Sequence, residues 1–340
     1  MDLDVLLPFV LPIAAACAAR PLSERLPPRT ATWLLTATAL GLAASGAVAL
    51  AAPFVARALQ GQDGAPLGAW WPQVAGQAGP ADVLVAFLTG TVPAVSLGAA
   101  ACAAVRQARA LRAARRFART LPGSGVLAVI DDDVVEAFAL PGRPGRVVVS
   151  TGMLAVLDAG ERRALLAHEH AHLDGRHHLF RAVACVAVAA NPLLWPLKGA
   201  VRYTTERWAD EHAASVVGDR RQAARAIGKA ALAHGRRPGP GHAAGLGVGS
   251  GTGPVPRRVA ALLRPAPPRR VGLASISVLL LVSAIVAAPD GAADLEQVID
   301  HVGVHSPGAR RPAPIPGFTG HLAMSAPSSP GSPPSGDAVR

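Results

Sequence analysis

The chain has 340 residues, enough for one large or two small domains, with 51% apolar and only 16% charged residues. Soluble domains carry about 25% charged residues, so this deficit, with a mean hydropathy of +0.33, points to a membrane protein. The net charge of +11 does not mark a nucleic-acid binder: there is one Tyr, and the densest basic run, "RQARALRAARRFAR" (106–119), directly follows an apolar segment, as a cytoplasmic membrane flank does.

Four apolar segments approach the roughly 20 residues that cross a bilayer. The first, "LDVLLPFVLPIAAACAA" (3–19), has the length of a signal peptide, but Asp2 and Asp4 precede the first arginine, Arg20, so the basic start of a signal peptide is missing and a retained anchor is favoured. Two more follow at 33–56 and 83–105, and a fourth at 271–288. Arg20, Arg25 and Arg29 lie in loop 20–32, while loop 57–82 carries Arg57 against Asp63 and Asp82. The positive-inside rule therefore places loop 20–32 and residues 106–270 in the cytoplasm, with loop 57–82 and both termini outside. Trp70 and Trp71 read as an interfacial anchor on the outer side, and the basic run 106–119 as an anchor to anionic lipid heads. Cys17, Cys102 and Cys185 each sit in an apolar run without CxxC spacing, so neither a disulfide framework nor a cysteine metal cage is expected.

Between the third and fourth spans the patterning becomes mixed. "GVLAVIDD" (125–132) predicts a strand, and 135–150 predicts two short extended pieces joined by a Pro/Gly turn. "DAGERRALLAHEHAHLDG" (158–175) predicts a helix, with Asp158 as N-cap, Glu161 completing a capping box and Gly175 as stop. A second helix is expected over 204–219. The stretch 179–201 is apolar but interrupted by Asn191-Pro192. Residues 235–257 read as a Gly/Pro-rich loop and 305–340 as a Pro/Ser-rich tail. No internal repeat is present.

On the 158–175 helix, His168 and His172 are four residues apart and share a face, so both imidazoles can reach one metal ion. Glu169 follows the first of them, which is the HExxH arrangement of a zinc site with a glutamate general base. His170 falls on another face and is expected to pack or meet solvent. A catalytic zinc takes three protein ligands and leaves one position for water. Downstream, "ERWADEHAA" offers Glu206 as the third ligand and Asp210, one turn on, as acceptor for a ligand histidine. Asp174, Glu211 and His212 are alternative third ligands. His177, His178, His212 and Arg207 are weaker candidates for an oxyanion donor; His177 and His178 are expected instead to cap or solvate the helix end.

Taken together, "AFALPG…RVVVSTGMLAVLDAGERRALLAHEHAHL" and "ERWADEHAA" resemble the integral-membrane gluzincin peptidases. That group includes the HtpX-type proteases, the CAAX prenyl endopeptidases and the sensor-transducer peptidases of beta-lactamase induction. The resemblance covers roughly residues 125–220. It implies one zinc ion per chain on His168, His172 and Glu206, with Glu169 as base and Asp210 in support. It also implies that 146–152, including Val148, Val149, Ser150, Thr151 and Gly152, is an edge strand that aligns an extended substrate. Three spans before the catalytic region are closer to the sensor-transducer arrangement, but no penicillin-binding module follows.

The expected fold is a mainly α membrane protein. Three transmembrane helices (1–105) precede a cytoplasmic, zincin-like α+β metallopeptidase domain (106–270). One more span (271–289) and a tail (290–340) follow. Because His172 and Glu206 must meet at one metal, 179–201 has to double back, as a re-entrant hairpin or as a helix packed on the catalytic core. The expected activity is hydrolysis of peptide bonds in a protein or peptide substrate at the bilayer of a bacterial cell membrane, without nucleic acid. Proteolysis of a cytoplasmic repressor is one alternative output. A non-catalytic scaffold is another, against which stands the presence of all five site residues.

Overall fold

The computed structural model describes residues 3–60, 90–234 and 255–265, all of which belong to the first of two contact units, Met1–Val304. The expected loop 57–82 from residue 61 on, Trp70 and Trp71, the start of the third span, the 235–254 loop, the fourth span and the tail lie outside the described residues.

Helices α1 (Leu3–Arg25) and α2 (Pro28–Gln60) pack as a hairpin about Leu26, which is fully buried. Among the described residues, Pro28–Ala49 is the helix long and apolar enough to cross a membrane. Helix α3 (Val92–Thr120) joins the end of the predicted third span to the basic run without a break, and its six arginines are all exposed.

Three short strands follow: β1 (Leu127–Ile130), β2 (Ala137–Leu140) and β3 (Arg146–Ser150). Their order is β1-β3-β2, with β1 parallel and β2 antiparallel to β3. This corrects the expectation for 146–152. β3 is the central strand; every residue in it is buried and both its edges are paired. Val148, Val149 and Ser150 therefore have no free backbone edge to offer a substrate. Thr151 and Gly152 are not strand at all but open helix α4 (Thr151–Val156), capped by Ser150 Oγ, which accepts from the Met153 N–H at 3.0 Å. Gly152 is needed for packing, because a Cβ there would overlap the Asp133 carbonyl.

Helix α5 (Ala159–Asp174) starts as the sequence predicts. Asp158 Oδ1 accepts from the Glu161 N–H at 2.8 Å, and Glu161 Oε2 accepts from the Asp158 N–H at 3.1 Å. Gly175 closes it, its N–H bonded to Ala171 O.

Helix α6 (His177–Ala190) leads into a 3-10 turn at Pro192–Leu194, and α7 (Trp195–Val217) returns from it. The predicted 204–219 helix is thus the second half of a longer one, ended by Gly218 at φ 76°. Helices α8 (Arg220–His234) and α9 (Val255–Leu263) close over the far side of α7.

Helix α2 serves as a ruler for the α6–α7 pair. Near its start the Trp33 and Phe180 rings lie 4.8 Å apart, and the Thr32 and Thr204 hydroxyls meet at 2.9 Å. Further along, Gly46 faces Asn191. Helix α6 therefore runs alongside α2 in the same direction, and α7 comes back to the starting level. The stretch 179–201 is a helical hairpin. Its outward arm of 14 residues rises about 20 Å at roughly 1.5 Å per residue, short of the about 30 Å of a bilayer core. The four helices share one apolar cluster that includes Leu35, Leu42, Ala184, Leu194, Leu197 and Val201.

This topology predicts a specific cross-link. A Cβ at Gly46 would lie 3.8 Å from Asn191 Nδ2. With Cys17, Cys102 and Cys185 replaced by Ser, the pair Gly46→Cys/Asn191→Cys is expected to oxidise within one chain, as a shift in non-reducing gel mobility. A pair that stays reduced while Asn191→Cys is labelled from the face opposite to residue 175 would mean a full span instead.

Candidate metal centre

The helical period of α5 and the return of α7 bring four buried polar side chains to one place. His168, Glu169, Glu206 and Asp210 are each no more than 9% exposed. His168, His172 and Glu206 form a donor group whose ligand atoms all lie within 4.8 Å of one another. The two Nε2 atoms are 3.2 Å apart, and Glu206 oxygens lie 3.7 Å from His168 Nε2 and 3.5 Å from His172 Nε2. Tetrahedral ligands at about 2.0–2.1 Å from zinc are separated by roughly 3.3 Å, so the spacing fits. Two ring nitrogens also approach to 3.2 Å only when a proton or a cation lies between their lone pairs.

The outer ring atoms have partners too. Asp210 Oδ1 lies 3.0 Å from His168 Nδ1, close enough for a charge pair although the ring N–H is not aligned on it. His172 Nδ1 meets His177 Nδ1 at 2.8 Å, which leaves His172 Nε2 facing the Glu206 carboxylate. His177 is 1% exposed, its ring packs 4.7 Å from Trp208, and a Cβ at Gly175 would overlap its Nε2. It is a buried support of the ligand, not the solvated helix end that the sequence suggested.

Burying carboxylates without compensation is costly. Here two arginines compensate. Arg258 Nη1 reaches Glu206 Oε2 at 2.7 Å, and its Nε and Nη2 donate to Asp210 at 2.8 and 2.6 Å. Arg181 donates to the other oxygen of Glu206. Burial works against ionisation of Glu206, but Arg258 and Arg181 outweigh it and hold its carboxyl well below the usual range. Asp210 is lowered in the same way, burial again being overcome by Arg258. Burial also opposes charge on His168, yet Asp210 and Glu206 prevail and push its pKa up to about 9. His172 goes the other way, held well down by burial and by the positive charge around it. Glu169, mainly through burial, is raised.

The remaining candidates separate cleanly. His170 turns away, its Nδ1 2.8 Å from Leu166 O. Glu211 pairs with Arg220, and Asp174 and His212 are exposed; none of the three belongs to the donor group. Arg207 is buried elsewhere, donating to Ser23 O at 2.7 Å and so tying α7 to α1. His178 lines a small side cleft with Glu169 and His172. The sequence reading missed Arg181, Arg258 and the role of His177. A signal existed for Arg258. On α9, Val255, Val259 and Leu262 form an apolar stripe at helical spacing, and Arg258 falls inside it.

Beside the donors opens a cleft of about 110 Å³. Glu169 lines it with the donors and Arg258, and Ala137 and Phe138 of β2 form one wall. Among the described residues the unpaired edge that borders the site is thus β2, not β3.

An HExxH helix with a third donor, a carboxylate, brought back by a later helix defines a metallopeptidase-type centre. The family comparison agrees: the chain belongs to peptidase family M48, whose family model matches residues 101–271, just over half the chain. Members of that family are zinc-dependent, and the nitrogen and oxygen donors here suit that ion. Comparison with curated proteins and with solved structures gives no match.

Arg258 gives the sharpest test of the electrostatics. Removing one partner of a buried ion pair costs about 3–5 kcal/mol. Arg258→Met is therefore expected to lower the unfolding midpoint markedly in detergent, and Arg258→Lys to recover only part of the loss, since an ammonium cannot make the bidentate contact. A midpoint unchanged in Arg258→Met would show that Asp210 and Glu206 do not depend on it.

Proposed function

We propose that the chain is a membrane-bound zinc endopeptidase in which His168, His172 and Glu206 hold the ion, Asp210 orients His168 and Glu169 is the general base. The observation that carries this reading is the position of Glu169, in one cleft with all three donors and against the edge of β2.

Bound zinc supplies polarisation of the scissile carbonyl and of the attacking water. Glu169 takes the proton from that water as its oxygen forms a bond to the carbonyl carbon. It then delivers the proton to the amine nitrogen as the C–N bond breaks. Burial raises the Glu169 carboxyl, which brings its proton affinity closer to that needed for both transfers near neutral pH. The β2 edge offers backbone groups to an extended peptide. Met153, Leu165, Ile227 and Val255 make the cleft apolar and suit an aliphatic side chain of the substrate.

For the membrane arrangement we keep the order read from the sequence. Residues 1–105 form the anchor, 106–270 the cytoplasmic catalytic domain, 271–289 a further span and 290–340 a tail, in a bacterial cell membrane. The apolar helix Pro28–Ala49 and the exposed arginines of α3 support it. The α6–α7 hairpin then enters the bilayer from the cytoplasmic side and leaves on the same side.

Two substitutions separate metal binding from chemistry. Glu169→Gln is expected to retain one zinc ion per chain and to lose cleavage by about 10²–10⁴-fold, the usual contribution of a general base. Glu206→Ala is expected to lose the zinc itself, measured by metal analysis after gel filtration. Full cleavage by Glu169→Gln would remove the base assignment, and stoichiometric zinc in Glu206→Ala would remove the third ligand.

A further inference from the structure

On the other side of α5 from β2, a groove of about 680 Å³ runs between α2 and α6. Helix α2 contributes Arg29, Trp33, Thr36, Ala37 and Leu40, whose spacing places them on one face over its first three turns. Helix α6 contributes Leu179, Phe180 and Val183. The groove has two chemically distinct ends. Arg29 and Arg176 stand at one end with Asp174 and His212, and the body beyond is apolar.

Four observations bear on that polarity. Arg29 lies in the first turn of the helix that is long and apolar enough to cross a bilayer, so the polar end of the groove coincides with the polar end of the span. Trp33, one turn further in, is 59% exposed, and Leu40 is 52% exposed, which is unfavourable in water and natural beside acyl chains. Neither Arg29 nor Arg176 has a carboxylate partner among the described residues; Arg29 lies over the Trp208 ring at 5.5 Å. Arg176 is also the one non-glycine residue at positive φ among the described residues, 48°, a conformation that disfavours a side chain and that aims Arg176 from the α5–α6 corner.

We propose that this groove binds a bilayer phospholipid with an anionic headgroup, its phosphate on Arg29 and Arg176 and one acyl chain along Trp33, Leu40, Leu179 and Val183. The two guanidiniums exceed the single carboxylate, Asp174, by one charge, so an anion is favoured. Asp174 and His212 are left to meet headgroup hydroxyls. The lipid would rest on Ala171, the residue before His172, and on Trp208, whose ring packs against His177. Lipid occupancy and the support of a metal ligand thus share side chains, although binding itself requires none of the chemistry at the metal centre.

The test uses the full chain in phosphatidylcholine nanodiscs doped with phosphatidylglycerol that carries a photoactivatable acyl chain. Cross-links are expected on peptides containing Trp33–Leu40 and Leu179–Val183, competed at least tenfold better by unlabelled phosphatidylglycerol than by phosphatidylcholine. Arg29→Gln/Arg176→Gln is expected to reduce labelling about tenfold at an unchanged unfolding midpoint. Single replacements of the same residues, read alongside, keep the result interpretable if the double variant is unstable. Labelling by a phosphatidylcholine probe with equal efficiency, or labelling indifferent to all these substitutions, would overturn the proposal. So would near-complete disulfide formation between Leu179→Cys and a cysteine placed in 271–288, since the chain's own segment would then fill the groove.

Discussion

Three carboxylates, Glu169, Glu206 and Asp210, are buried around one histidine pair, and the rest of the structure is arranged around that constraint. Burial alone would protonate all of them. Glu206 and Asp210 stay ionised because Arg258 bridges both and Arg181 reaches the free side of Glu206. Glu169 has no such direct partner among the described residues and is the one whose carboxyl is raised. Three acids of ordinary type thus acquire two behaviours. Two are held as anions by arginines, and in the third burial raises the proton affinity.

The fold supplies the positions that this balance needs. Helix α5 gives His168, Glu169 and His172, but a third donor facing the two imidazoles has to come from elsewhere, and α7 brings Glu206. Between the two helices lies an apolar segment that would leave Glu206 at the wrong level if it ran straight on. The break at Asn191-Pro192 reverses the chain, and the meeting of Thr32 with Thr204 shows the return complete. Arg258 then arrives from α9, so the last helix described locks the centre that the earlier ones assemble.

Local signals in the sequence were read well. The capping box at Asp158 and Glu161, the stop at Gly175 and the shared face of His168 and His172 depend on short-range rules, and each appears in the structure. His168 and His172 were legible for the same reason, since HExxH is a spacing rule, whereas Glu206 lies outside it and was read from "ERWADEHAA". The hairpin was legible only through chemistry, because the two metal ligands on either side of it had to meet. What the sequence could not show is sheet order. A run such as "RVVVS" reads alike as a central or an edge strand, and its uniform burial appears only once β1 and β2 flank it. The cationic partners were hidden by distance along the chain. Arg258 lies 48 residues from Asp210, and only its misfit in an apolar stripe marked it. His177 looked like one more polar residue at a helix end until its ring was found against His172.

The central claim is that one zinc ion is held by two imidazoles and one carboxylate, with no sulfur. X-ray absorption at the zinc edge of the purified chain tests this most directly. The account predicts a first shell of nitrogen and oxygen near 2.0–2.1 Å with the multiple scattering of two imidazoles. A sulfur scatterer at about 2.3 Å, or the signature of a single imidazole, would contradict it.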